Sequence, residues 1–395
     1  MSEKLIIKNF GPIKSVELEL GRFNVLIGEQ ATGKSTVAKV LAVCRYFSYI
    51  FGNSEVYSQF TTNFPFLTGL EAWGLVEELK DESSIYYECI HYSFFFEKSL
   101  GEVPHFRGLV SRTISKLKSL SPQFTNLLPE RYNDQVGNGS WFFERSFYQN
   151  EVAKVMDNPF YLPTERGLQS IFSLGKSSIQ NISDSLFNQF ARLDQIARSF
   201  KNDTLIKPLD ITYKNVDGKG FIRKNNDDKY YSLYNAASGY QSTIPVVLSF
   251  ENYIYKKKNK TFIVEEPELN LFPGAQHELI KYLVDKTLNY GNTVLITTHS
   301  PYILTSLNNL IQAHLTGSKR GRKQKTAEII SQQYWLNNKD VSAYMLKYDE
   351  EAKGIVHENI LDEDGLIKAE KIDGVSRTLN EEFDKLLNIE FAIKK

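Results

Sequence analysis

The 395-residue chain is poor in cysteine, methionine, tryptophan and proline, with 2, 3, 3 and 12 copies respectively. Cys44 and Cys89 form neither a metal pattern nor a disulfide framework, so a reducing compartment is expected. Net charge is missing as well. Lysine plus arginine, at 47, balances aspartate plus glutamate, also 47. That balance excludes a global attraction to nucleic acid and leaves only local patches for the purpose. Long apolar runs are lacking too: Val37 to Phe51 is broken by Lys39 and Arg45 and is too short and polar to span a bilayer. Met1-Ser2-Glu3-Lys4 leads directly into a strand pattern rather than a secretory leader, so a cytoplasmic protein with no membrane partner is expected. The chain has no internal repeat and no heptad run.

What is abundant is aromatic. The 26 phenylalanines and 22 tyrosines fit a well-packed interior or a surface buried on a partner. One stretch organises the rest: Val25-Leu26-Ile27-Gly28-Glu29-Gln30-Ala31-Thr32-Gly33-Lys34-Ser35-Thr36. It is a complete G-x4-G-K-[ST] pattern, with an apolar strand before it and a helical pattern after it. Glycines let the backbone turn tightly, so that N–H groups and the positive end of the next helix face an anion. Gly28, Gln30, Ala31, Thr32, Gly33, Lys34, Ser35 and Thr36 are therefore the expected phosphate-binding residues. Lys34 would reach the β- and γ-phosphates, and the Ser35 hydroxyl would ligate Mg²⁺. A nucleoside triphosphate, ATP, is the implied ligand.

Along the chain, Leu5–Ile13, Ser15–Leu20 and Arg22–Ile27 read as strands, and a helix is expected from Lys34 to about Phe51. Phe10 either lines a base pocket or belongs to the core. Residues 51–158 read as an inserted, mainly helical lobe, with helices over Leu67–Lys80 and Leu109–Leu128 and an edge hairpin over Ile85–Phe96. His91 and His105 are isolated in it and point to no chemistry. Pro159–Gly167 is a short strand whose polar end carries Glu165 and Arg166, facing either a nucleotide or each other as an ion pair. Helix is expected from Gly167 to about Lys201. Strands follow at Thr204–Tyr213 and Lys229–Tyr234, with a turn at residues 218–220. Gly317–Lys325 is a basic loop, and a terminal helix is expected over Val375–Leu387.

Two further strands carry the chemistry. The apolar run Phe262-Ile263-Val264 ends in Glu265-Glu266-Pro267-Glu268. Hydrolysis needs one acid to hold Mg²⁺ and another to orient or deprotonate the attacking water. Successive side chains at a strand end point apart, so Glu265 is read as the metal acid and Glu266 as the base. His299 ends the next buried strand and is placed to sense a γ-phosphate. Ser238-Gly239-Tyr240-Gln241, opening a helix, is a second anion site. One chain cannot easily bring both anion sites to one triphosphate, whereas a dimer can.

Lys34, Ser238-Gly239-x-Gln241, Glu265-Glu266-Pro-Glu and Thr298-His299-Ser-Pro occur in the order found in ABC-type ATPase heads. Within that superfamily the chain resembles the group of SMC proteins, RecF and the OLD (overcoming-lysogenization-defect) family. The resemblance covers residues 1–50 and 159–316 as one discontinuous head, with 317–395 as a mixed α/β extension. It implies a P-loop α/β fold with a mixed sheet, and two heads sandwiching two ATP–Mg²⁺. Ser238 and Gly239 would then act in trans, with Gln241 supporting their turn. Departures are Tyr240 in place of a second glycine, Glu265 in place of the commoner aspartate, and Phe272 where a histidine often precedes Pro273. These point to slow hydrolysis, a switch rather than a motor.

OLD nucleases add a Toprim domain. Asp362-Glu363-Asp364 resembles its acids only superficially and reads as a solvated turn, so no nuclease is expected within the chain. Stand-alone heads of this type resemble the ATPase components of bacterial anti-phage and toxin-type systems, which implies a separately encoded effector as partner. A RecF-like, DNA-binding repair ATPase is the alternative, kept open by Lys319-Arg320-x-Arg322-Lys323-x-Lys325. A plain interaction module is a weaker reading, because Lys34, Glu265, Glu266 and His299 occur together.

Overall fold

The computed structural model describes residues 3–52, 65–89, 93–98, 105–109, 159–168, 184–225, 227–256 and 260–368, together with Leu386. The first strands are β1 (Glu3–Phe10), β2 (Ile13–Leu20), β3 (Phe23–Ile27), β4 (Leu79–Glu88), β5 (Ser93–Glu97), β6 (His105–Leu109) and β7 (Phe160–Leu162). They are followed by β8 (Thr204–Ile206), β9 (Ile211–Val216), β10 (Lys219–Lys224), β11 (Tyr231–Ser232), β12 (Thr261–Glu265), β13 (Thr293–Thr298), β14 (Val341–Asp349) and β15 (Gly354–Asn359). The helices are α1 (Lys34–Gly52), α2 (Pro65–Ala72), α3 (Asp184–Ser199), α4 (Ser238–Tyr255), α5 (Pro273–Leu288), α6 (Pro301–Gly317) and α7 (Lys323–Ile329).

Eleven strands make one mixed sheet in the order β6-β5-β4-β1-β2-β15-β14-β3-β13-β12-β7, and β11-β10-β9-β8 form a separate antiparallel sheet. From β14 to β7 all pairings are parallel. Burial explains why. Phe23, Val25, Phe262, Val264, Val294 and Ile296 face one core cluster, while Leu26, Ile263, Leu295 and Tyr161 face the other. Strands buried on both faces read as continuous apolar runs, and helices must cover each side. On the first face α4, α5 and α6 pack, with Phe250 stacked on Phe262 at 3.7 Å between ring centroids. Trimming such a ring to alanine costs about 3–5 kcal/mol. On the second face α1 supplies Val37, Val40 and Leu41.

Two sequence expectations change, for residues 51–158 and for the basic loop. The described part of residues 51–158 is mostly strand: β4, β5 and β6 continue the head's own sheet through β1. Period-2 burial of Ser83, Ile85 and Tyr87 over the second core is the reason, and of the helix expected over 67–80 there remain the short α2 and a 3-10 turn at Val76–Glu78. The chain after residue 316 supplies strands to the head's own sheet, since β14 pairs with the P-loop strand β3 and β15 with β2. The basic loop is in part helix, α7. The hairpin of β9 and β10 turns at Asp217 and Gly218, whose positive φ values of 50° and 81° suit a tight two-residue turn. Phe10 is core. His91 and the helices expected beyond Leu109 and over Val375–Leu387 lie outside the described residues, apart from helical Leu386.

Candidate nucleotide site

Ligands of an open parallel sheet gather beyond the carboxyl ends of its strands. Here Ile27 pairs in register with Thr298, and Glu265 with Thr297, so the ends of β3, β13 and β12 lie at one level. Gly28, His299 and Glu266 are the residues that follow those three ends.

All five residues of β3 are buried, which fixes where the loop begins. A side chain at Gly28 would run into the Leu346 carbonyl of β14 and the Thr32 hydroxyl. Gly33 holds φ at 75°, which glycine adopts without strain. Ala31 holds φ at 60° without that freedom. Thr32 Oγ1 donates to the Glu29 carbonyl at 2.8 Å and ties the loop together. Lys34, only 6 % exposed, curls back so that Nζ donates to the carbonyls of Gly28 (2.9 Å) and Glu29 (2.7 Å). Burial lowers its pKa to about 8, against the opposing pull of Glu266, Glu268 and Glu265. Gln30 and Ser35 are exposed, and Thr36 is half-buried on the next position of α1.

Glu265 closes β12 at 3 % exposure. Its Oε2 accepts from Thr164 Oγ1 at 3.3 Å, while Oε1 is buried with no hydrogen-bond partner among the described residues. Glu266 turns out of the strand at a φ of 42° and places Oε1 3.2 Å from His299 Nε2. Its N–H donates to the Thr297 carbonyl at 2.9 Å, so the turn stays fixed to β13. Glu268 is the deeper acid. Its Oε1 accepts from Thr298 Oγ1 at 2.5 Å and from the His299 N–H at 3.0 Å. Burial raises its carboxyl above the ordinary range, and those hydrogen bonds only partly oppose it.

Sequence reasoning missed what Arg166 does. It is fully buried and donates to four carbonyls: Pro163 (3.1 Å), Ser242 (2.8 Å), Glu265 (2.6 Å) and Glu266 (2.7 Å). Glu165 is exposed, so neither a nucleotide-facing arginine nor a Glu165–Arg166 ion pair is observed. Only its place shortly after a short apolar strand hinted at this clamp. Burial lowers its pKa to about 10.

Ser238 begins α4 and is exposed, while Gly239 is buried against the Asn270 carbonyl. Gln241 Nε2 donates to the carbonyls of Tyr234 (3.0 Å) and Ala236 (2.9 Å), closing the turn that leads into the helix. The side-chain hydrogen bonds that leave this turn go to Tyr234, Ala236 and Leu269, not to the P-loop. Phe272, one residue before α5, is 86 % exposed.

Residues 146–304 match the family model described as AAA ATPase domain. The match includes the acid pair and His299 but not the P-loop. Endonuclease GajA of Bacillus cereus (strain VD045) is 33 % identical over 103 residues, covering 24 % of this chain. The match spans only 17 % of that relative's length. Among solved structures, the SMC head domain from Thermotoga maritima gives a TM-score of 0.43 at 10 % identity, over 91 % of this chain and 99 % of that one. An Smc head domain with an extended coiled coil, bound to the C-terminal domain of ScpA derived from Pyrococcus furiosus, gives 0.40 at 8 % identity, over 100 % and 99 %. No described helix is long and apolar enough to cross a membrane. The P-loop, the acid pair and His299 thus meet at one end of the sheet, and the segment that carries the last two matches an AAA ATPase domain model.

Proposed function

We propose that the chain binds and slowly hydrolyses ATP, pairs with a second copy around two ATP–Mg²⁺, and acts as sensor and scaffold for a separately encoded effector. The effector would be a nuclease or toxin in cytoplasmic bacterial anti-phage defence. One observation carries the ATPase part. Lys34, Glu265, Glu266 and His299 converge at the ends of three adjacent parallel strands.

The residues fit Mg²⁺-ATP. A buried ammonium bonded only to loop oxygens is available to phosphate, and the buried Glu265 carboxylate, with the Tyr161 hydroxyl beside it, is available to a cation. The loop N–H groups from Gly28 to Thr36 and Lys34 would hold the phosphates; Ser35 and Glu265 would hold Mg²⁺. Among the described residues no group of three His, Cys, Asp or Glu could hold a metal by itself. When bound, Mg²⁺ neutralises charge on the phosphate oxygens. Glu266 would accept the proton of the attacking water, while His299 orients Glu266 and meets the terminal phosphate. Exposed Ser238, with Gly239 behind it, would meet the ATP of the partner head. An effector of nuclease type is supported by the relative's name as an endonuclease over a segment shared with this chain.

The test is the native mass of the complex expressed from its own gene neighbourhood, with and without ATP. A second polypeptide on an even-numbered assembly supports the reading. The DNA-repair reading is favoured by one observation: Lys319, Arg320, Arg322, Lys323 and Lys325 are all exposed and unpaired among the described residues. A lone protein that dimerises with ATP and turns over faster with DNA would establish it instead.

A further inference from the structure

The signature turn and the acid pair are separate in sequence, yet one buried side chain holds both. Arg166 reaches Glu265 and Glu266 carbonyls on one side and the Ser242 carbonyl, in the second turn of α4, on the other. That end of α4 needs holding. Pro245 has no N–H, so the Gln241 carbonyl lacks its usual helical donor, and the next carbonyl along is the one Arg166 binds. Two other contacts join the same parts. Ser242 Oγ donates to the Leu269 carbonyl at 2.9 Å, and a Cβ at Gly239 would stand 2.7 Å from the Asn270 carbonyl. Glu266 both faces His299 and offers its carbonyl to Arg166, so one side chain links the acid pair to the start of α4.

We propose that Arg166 is a positioning residue that braces the signature turn against the acid-bearing end of β12, so that the half-site shown to a partner head follows the state of this head's own acid pair. This rests on the paired-head reading above. A guanidinium is required, since its fixed fork of five donors spans carbonyls on two elements, and an ammonium on a flexible stem cannot hold that spacing.

The experiment uses full-length E266Q with MgATP as the reference, read as native mass over a protein dilution series. In R166K/E266Q, binding of a fluorescent ATP analogue stays within about threefold of the reference, while the dimerisation midpoint rises at least about tenfold. A purely structural role would move the melting temperature and nucleotide affinity together. Should R166K fail to fold, S242A/E266Q removes the hydroxyl that lies within donating distance of the Leu269 and Gly239 carbonyls and raises the midpoint about two- to fivefold. A midpoint equal to that of E266Q overturns the brace. An E266Q parent that stays monomeric in ATP overturns the paired-head reading itself, and the inference with it.

Discussion

Glu266 Oε1 and His299 Nε2 face each other across 3.2 Å, from the ends of neighbouring parallel strands. Both side chains are about a third exposed, at 27 % and 30 %, so the pair stands at the surface of the site with access to water and substrate. Glu265, one residue earlier, is closed off at 3 %. Two adjacent carboxylates are thus given different surroundings, which is what divided roles of metal holder and base require.

Glu266→Gln keeps the shape and a partner for His299 but removes the carboxylate proposed as the base. ATP turnover should fall by about 100-fold or more, and ATP-bound dimers should accumulate. Phosphate release and native mass read both. A wild-type rate in this variant would falsify the assignment.

Lys34→Ala should abolish ATP-dependent pairing and weaken nucleotide binding, measured by titration with a fluorescent analogue. The charge of Lys34 should add nothing to fold stability at neutral pH, so any gain from losing it is set against the lost bonds to the Gly28 and Glu29 carbonyls. Burial has pushed the Lys34 pKa from 10.5 to about 8, so folding already works against its charged form. A melting temperature close to that of the wild type is the expected outcome.

Glu268 gives a pH signature. Its folded-state pKa is raised above 4.5, chiefly by burial. From 4.5 upward, the unfolded chain releases a proton that the folded chain keeps. The stability from this group is therefore full below 4.5 and is lost as pH rises through the folded value. Glu268→Gln keeps an oxygen for Thr298 and the His299 N–H but does not titrate. Melting temperatures of the two proteins should diverge with rising pH, in favour of the glutamine variant. Parallel curves would contradict the burial argument.

Local pattern made the P-loop, the acid strand and the histidine strand legible, because each is an apolar run stopped by residues whose chemistry is specific. The bounds of β3, β12 and β13 follow from those runs almost to the residue. The position of β14 and β15 was not legible: a strand's neighbours are chosen by long-range pairing, and Val341–Met345 gives no local sign that it will lie beside Phe23–Ile27. Arg166 was illegible for a related reason. Its partners are main-chain carbonyls, which every residue has, so no residue type in the sequence marks them.

Two glycines make the last test, because they differ in what a methyl group would meet. At Gly239 a Cβ would lie 2.7 Å from the Asn270 carbonyl and 3.3 Å from Leu271 Cδ2. Asn270 is itself held at a φ of 61°, so the segment it belongs to has little freedom to retreat. Gly239→Ala should cost about 1–3 kcal/mol as an overpacking change, and it should move Ser238 away from its present position. At Gly274, in the first turn of α5, nothing lies within 4 Å. Gly274→Ala should be neutral or stabilise by up to about 1 kcal/mol through helix propensity. Placed in the Glu266→Gln background, only the first should lose ATP-dependent pairing while its P-loop still binds nucleotide. If Gly239→Ala pairs as well as Gly274→Ala, the turn at Ser238 is not the surface that a second head reads, and the trans role fails even with the ATPase site intact.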